Sequence, residues 1–466
     1  MHMVRCNQVF HLLRHALTAL TSVGSDAHAP LERISTHGVV RDDGLQTRWG
    51  VDMIEKLHVR TFKNFRDADL SLGPFTILVG TNASGKSNVR DALRFLHGIG
   101  RGYSLAEIIG EKYGEGGVLQ WRGIRGGTRE IAFHRASTFS LDVSFTVMEK
   151  AWQRTATYHI GVEIAPDTQS PLIVAERLTV DGDVVFDSEP VSPTDPVHVR
   201  VRVRKAGRGP HPVVPLLRHQ TILAQCVEHS KVPASTREII RACLGVLSDM
   251  RFLDLHPDSM RQASFPGQTV LGDRGENLSS VLKAICDDPQ RKQVLLAWLR
   301  ELTPMDAADF DFPADQIGRI LVSLVEEDGA QVTAYSASDG TLRFLGMLAA
   351  LLGPDPARFY FFEELENGIH PTRLHLLLQL IEQQTGRGQT QLLSSTHSPQ
   401  LLRLVSPDTL KYTSLTYRLA GQSDAQITPI LDIPEAQRVI QAQDLARLHE
   451  SGWLEDAVTF MDAEAQ

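Results

Sequence analysis

At 466 residues, the chain is long enough for two or three domains around a sizeable core, and its 42% hydrophobic and 22% charged residues are those of an ordinary globular protein. A formal net charge of −9 excludes attraction of nucleic acid by the chain as a whole, so any such contact needs a local basic patch. Cys6, Cys226, Cys243 and Cys286 lack CxxC spacing, which argues against a zinc site or a disulfide framework and fits a reducing cytosol, and no uncharged apolar run reaches bilayer-spanning length.

Residues before Met53 are rich in His and Thr, and Val9 to Leu20 carries His11, Arg14 and His15 inside a weakly apolar stretch. A signal peptide does not place charges there, so residues 1–52 are expected to be a poorly ordered extension, with Met53 opening the folded part. Ile54 to Arg60 and Phe75 to Val79 then read as strands. From Glu130 the period is two: Phe139, Leu141, Val143, Phe145 and Val147 alternate with polar residues, as do Tyr158, Ile160, Val162 and Ile164. Asp181-Gly182 predicts a hairpin turn, and a Pro- and Gly-rich loop is expected around Gly207 to Pro215. Ser235 to Leu302 reads as mostly helical, with Ile239, Ile240, Cys243, Leu244 and Leu247 at helical spacing. A second hairpin signal stands at Asp328-Gly329, strands and helices alternate from Phe359 to Val405, and Pro434 to Phe460 is amphipathic and helical.

Gly80-Thr81-Asn82-Ala83-Ser84-Gly85-Lys86-Ser87 fits G-x-x-x-x-G-K-[ST] at every fixed position. The context is right: Phe75 to Val79 is an apolar strand before it, and Val89, Ala92, Leu93 and Leu96 mark one face of a helix after it. Glycines let the backbone curl so that successive N–H groups point at phosphate oxygens beside the positive end of a helix. Lys86 is expected to place its charge on the β- and γ-phosphates of ATP, and the Ser87 hydroxyl to ligate Mg²⁺.

Phe359-Tyr360-Phe361-Phe362 is an apolar strand running into Glu363-Glu364. Ligands of parallel α/β sheets bind beyond the carboxyl ends of the strands. Glu363 is therefore expected to hold Mg²⁺, directly or through water, and Glu364 to act as the base for the attacking water. Gln391 to Ser395 is a further strand, and His397 just past its end is placed to reach a γ-phosphate.

Together these elements resemble the ABC-type ATPase superfamily, in particular the RecF/SMC/OLD-like branch of AAA-type ATPases. Leu57 to Phe65 is similar to its opening strand and N-F motif, and Asn82 and Asn88 stand where its phosphate loop carries asparagines. Ser338-Asp339-Gly340-Thr341 resembles its signature motif, Glu363 to Pro371 its metal-binding strand and D-loop, and Ser395 to Pro399 its switch-histidine loop. The resemblance implies an α/β P-loop head with an inserted antiparallel-β plus helical subdomain. Lobes at 53–150 and 331–433 would flank an insert at 151–330, with a helical tail at 434–466. It further implies a homodimer sandwiching ATP, in which Ser338, Asp339 and Gly340 of one chain close on the γ-phosphate held by Lys86, Ser87, Glu363, Glu364 and His397 of the other. The chain departs from the family in carrying Glu363 where Asp is usual, and in lacking coiled-coil arms. Its C-terminus is too short for a Toprim nuclease, and Gln120 is the nearest candidate for the Q-loop glutamine.

Val197 to Lys205 alternates valine with basic residues, so a strand here gathers His198, Arg200, Arg202 and Arg204 on one face. That face suits phosphate contacts with DNA; equally, it is the wet face of a half-exposed strand paired with the sheet's acids. The implied role is a cytoplasmic, ATP-switched ATPase of DNA maintenance or phage defence, acting with a nuclease or toxin partner and without a membrane. The alternatives are the nucleotide-binding subunit of a membrane transporter and an ATP-binding sensor that does not hydrolyse.

Overall fold

The computed structural model describes residues 52–149, 152–205, 209–302, 307–419, 421–442 and 445–465. The extension expected over residues 1–52 lies, Asp52 apart, outside them, as does Cys6. The described chain divides into two compact units, Leu255–Pro356 and the remainder within Gly50–Asp254 and Ala357–Gln466.

The larger unit holds two large sheets and a two-stranded one, Lys112–Tyr113 with Leu119–Trp121. One is antiparallel and eight-stranded, in the order Val213–Leu217, His198–Val203, Asp183–Ser188, Pro171–Val180, Trp152–Ile164, Thr138–Glu149, Met53–Phe62, Phe65–Ser71. Its alternation is the one the period of two predicts. Phe139, Leu141, Val143, Phe145, Tyr158, Ile160 and Val162 are all no more than 3% exposed. Each fully buried side chain of this size contributes about 1.5–3 kcal/mol to holding the sheet on its core. The predicted turn at Asp181-Gly182 joins Val180 to Asp183 with both φ angles positive, at 52° and 82°. That geometry follows the right-handed strand twist and favours glycine.

The sequence reading differs from the structure in three places. Val213–Leu217 is a strand rather than loop. It lies at the sheet edge, where Pro215, opposite Arg200, sacrifices no ladder bond the sheet needs. The period of two begins at Thr138 rather than Glu130, because Phe133–Arg135 forms a 3₁₀ turn. Met250–Leu253 interrupts the helical stretch as a strand too short to show a period.

The second sheet has the order Met250–Leu253, Phe359–Glu363, Gln391–Thr396, Phe75–Val79, Thr413–Tyr417, Gln426–Pro429. All pairings are parallel except the last. Helices Lys86–Gly100 and Ala234–Ser248 share one core with both sheets: Val89, Leu93, Leu96, Ile240 and Leu247 pack in the same cluster as Leu141, Phe252 and Phe361. At its far side, Glu176 is fully buried and accepts hydrogen bonds from the Ile222 and Leu223 N–H groups, both at 2.7 Å, and from the Tyr158 hydroxyl at 3.0 Å. It thereby ties the start of helix Ile222–Glu228 to the antiparallel sheet, while burial pushes its carboxyl up to about 7.

The smaller unit packs helices Leu278–Cys286, Pro289–Leu302 and Asp339–Leu352 with a three-stranded antiparallel sheet, Ala307–Asp311, Ser323–Glu326 and Gln331–Thr333. The predicted turn at Asp328-Gly329 connects the last two strands, with Gly329 at φ 84°. Among the described residues no helix is long and apolar enough to cross a membrane. Cys226, Cys243 and Cys286 are unbridged.

Candidate functional site

Three neighbouring parallel strands bring their carboxyl ends level. Val79 pairs with Thr396, and Ser395 with Glu363. The chain leaves these strands as the Gly80 to Ser87 loop, the His397 turn and the Glu364 turn, which is the position where open α/β sheets bind ligands. Segments distant in sequence therefore meet at one sheet end.

The loop is shaped by its glycines. Gly85 sits at φ 122°, and a Cβ there would lie 2.8 Å from the Phe65 ring. A Cβ at Gly80 would lie 2.2 Å from the Thr416 carbonyl oxygen. The helix that follows, Lys86–Gly100, has neither a side-chain cap nor an acid in its first turn, which leaves its positive end to an anion. Lys86, 8% exposed, donates from Nζ to the carbonyls of Gly80 at 2.5 Å and Thr81 at 2.8 Å. Burial lowers its pKa, and the charges of Glu364 and Glu366 oppose that shift. The Ser84 hydroxyl oxygen is buried without a hydrogen-bond partner, and Thr81, Asn82 and Ala83 face solvent.

Behind the loop, Asn88 donates from Nδ2 to Asn64 Oδ1 at 2.6 Å, and the Asn64 carbonyl accepts from the Ala425 N–H at 2.7 Å. The two asparagines quoted from the opening and phosphate-loop motifs thus hold each other. Arg125 donates to the Ser87 carbonyl at 2.8 Å and pairs with Asp91 at 3.1 Å, bracing the first turn of the helix.

The acids divide their work. Glu363 pairs with Arg90 at 3.0 Å. Glu364 adopts φ 47°, its N–H donating to the Ser395 carbonyl at 3.1 Å. This turns its carboxylate toward His397, whose Nδ1 lies 3.2 Å away, while Asn367 donates to its other oxygen. Glu366 accepts from the Thr396 hydroxyl at 2.6 Å and is largely buried, which raises its pKa. Motif spacing alone assigned Arg90, Thr396 and Glu366 no part. Arg90 is one helical turn past Lys86, and the acidic Glu366 two residues after Glu364 was the signal available for the other pair.

Ser338 is the N-cap of helix Asp339–Leu352 in the smaller unit, accepting from the Thr341 N–H at 3.1 Å. Asp339 pairs with Arg261 at 2.7 Å. Gln120 is exposed on the short strand Leu119–Trp121.

On the antiparallel sheet, Val199, Val201 and Val203 are fully buried, and Arg200, Arg202 and Arg204 point the other way, as the alternation predicts. Both Arg200 and Arg202 lie 3.3 Å from Glu189, and Arg204 lies 2.9 Å from Asp183.

Oxygen donors at the sheet end suit a hard cation. Ser87 and Glu363 are donors of the kind Mg²⁺ takes alongside water and phosphate oxygens, with the Glu363 carboxylate already paired to Arg90. Among the described residues there is no group of three or more His, Cys, Asp or Glu able to enclose a metal.

Residues 75–146 and 250–403 match the family described as "AAA domain, putative AbiEii toxin, Type IV TA system". An uncharacterized protein of Methanocaldococcus jannaschii is 27% identical over 129 residues, which are 25% of this chain and 56% of that protein; the chain thus spans about half the length of this curated relative. Among solved structures, the SMC head domain from Thermotoga maritima is similar with a TM-score of 0.37 at 14% identity, covering 81% of this chain and 98% of that one. An Smc head bound to the C-terminal domain of ScpA derived from Pyrococcus furiosus is similar with a TM-score of 0.42 at 12% identity, covering 84% and 99%.

Proposed function

We propose, from the match of residues 75–146 and 250–403 to an AAA-domain family, that the protein binds ATP with Mg²⁺, hydrolyses it, and is switched by it between monomer and homodimer. The observation that carries the reading is the common end of three parallel strands, where Lys86, Glu364 and His397 share one electrostatic neighbourhood.

The loop N–H groups and Lys86 would hold the β- and γ-phosphates, Lys86 leaving the Gly80 and Thr81 carbonyls to do so. Ser87 and Glu363 would hold Mg²⁺, which supplies neutralising charge on the phosphates when bound. Glu364 takes a proton from water as its oxygen attacks the γ-phosphorus and the bond to the β–γ bridging oxygen breaks, leaving ADP and phosphate. His397 orients the Glu364 carboxylate through its 3.2 Å contact. Purified protein is expected to release phosphate from ATP at a rate that falls to background when Mg²⁺ is chelated. Chelator-insensitive release, or none at all, contradicts the reading.

Within the same proposal, Ser338, Asp339 and Gly340 of a second copy complete the γ-phosphate site. The exposure of Ser338 and Asp339 supports that role, although the γ-phosphate competes there with the Ser338 cap and the Asp339 carboxylate. The setting proposed is cytoplasmic DNA maintenance or phage defence with a nuclease or toxin effector. The arginine face of strand His198–Val203 is the proposed DNA contact, in competition with Glu189 and Asp183. Reversing Arg200, Arg202 and Arg204 to Glu is expected to weaken duplex binding in low salt and to flatten its salt dependence by about one unit of slope per arginine. Unchanged affinity removes this face from the proposal.

A further inference from the structure

Glu366 stands where the three site segments meet, and nothing in the steps above uses it. One carboxylate oxygen accepts from the Thr396 hydroxyl at 2.6 Å. That hydroxyl oxygen in turn accepts from the Ser398 N–H at 2.9 Å, inside the turn that carries His397. Thr396 is fully buried at the end of its strand, and both bonds of the relay are partly shielded from water. The second oxygen of Glu366 is buried with no hydrogen-bond partner. Buried polar atoms are nearly always satisfied, and an orphan at a ligand site marks a place completed by the ligand or its water. The carboxylate also acts on the charges of Lys86, Glu364 and His397. A single side chain therefore touches the switch turn by contact and the phosphate loop by charge.

We propose that Glu366 is a positioning residue that couples occupancy of the phosphate loop to the His397 turn, with Thr396 as the relay. The inference rests on the ATP-binding reading. Lys86 sits on the Gly80 and Thr81 carbonyls. Phosphates that draw Lys86 away change the field at Glu366, and the unsatisfied oxygen acquires a donor in the loaded site. The Thr396 hydroxyl carries the resulting shift to the Ser398 N–H, and so to His397 and its contact with Glu364.

Two variants separate this from a structural role. Thr396→Val keeps the side-chain shape and removes the relay hydroxyl. Glu366→Gln keeps an acceptor for Thr396 and removes the charge. Amide hydrogen exchange of residues 397–402 is measured on the full chain with and without a non-hydrolysable ATP analogue, and analogue binding is titrated on the same samples. The unmodified protein is expected to change exchange in this segment about tenfold on binding. Thr396→Val is expected to bind within about threefold of the same affinity and to lose that response, and Glu366→Gln to lose most of it. A Thr396→Val protein that responds as the unmodified one does overturns the proposal, as does an unmodified protein that binds analogue without any response. Failure of the unmodified protein to bind the analogue would instead overturn the ATP-binding reading.

Discussion

Glu364→Gln is expected to keep Mg-ATP bound and to lower turnover by about 10²- to 10⁴-fold, the usual contribution of a positioned base. Glutamine preserves the length of the side chain and an oxygen acceptor for Asn367, so the turn at φ 47° has no reason to collapse. What it loses is the carboxylate that accepts the water's proton and that faces His397 at 3.2 Å. Because the phosphate loop is untouched, ATP is trapped intact, and in the proposed shared site that state is the dimer. Sizing runs with Mg-ATP therefore detect a dimer for this variant; a persistent monomer contradicts closure by a second copy. Phosphate release measured in a single turnover checks the chemical step separately from binding.

Lys86→Ala acts one step earlier and is expected to abolish measurable ATP binding. Lys86 is 8% exposed, so its interaction with phosphate is poorly screened by solvent. A hydrogen bond to a charged group contributes about 1.5–3 kcal/mol, roughly tenfold to a hundredfold in affinity, and Lys86 reaches two phosphates. It also bridges Gly80 and Thr81, so the variant frees two carbonyls, that of Gly80 buried. Calorimetric titration checks the effect. Affinity within about threefold of the unmodified protein would remove Lys86 from the site.

Much of this architecture was legible because two periods are written plainly in the chain. Alternation from Phe139 to Ile164 specified one face of the antiparallel sheet, and the apolar strand before Gly80 with Val89, Ala92, Leu93 and Leu96 after it specified the loop's setting. Short elements carried no such signal. Met250–Leu253 and Thr413–Tyr417 are strands by virtue of parallel neighbours, and the second is built largely of threonine, serine and tyrosine, buried throughout. Val213–Leu217 was obscured by Pro215, which an edge position tolerates. Within the site, motif spacing marked Lys86, Glu363, Glu364 and His397, while their pairings depend on register. Arg90 meets Glu363, and Thr396 meets Glu366, only because the strand ends are level. The arginine face was legible as a face, but its acids Glu189 and Asp183 come from neighbouring parts of the sheet that local spacing does not connect.

The most direct measurement is a crystal structure of the Glu364→Gln protein grown with Mg-ATP. The expected result is an intact triphosphate cradled by Gly80 to Ser87, its β- and γ-oxygens on Lys86, with residues 363, 364 and 397 around the terminal phosphate. ATP bound elsewhere on the chain, with Lys86 still seated on the Gly80 and Thr81 carbonyls, would contradict it.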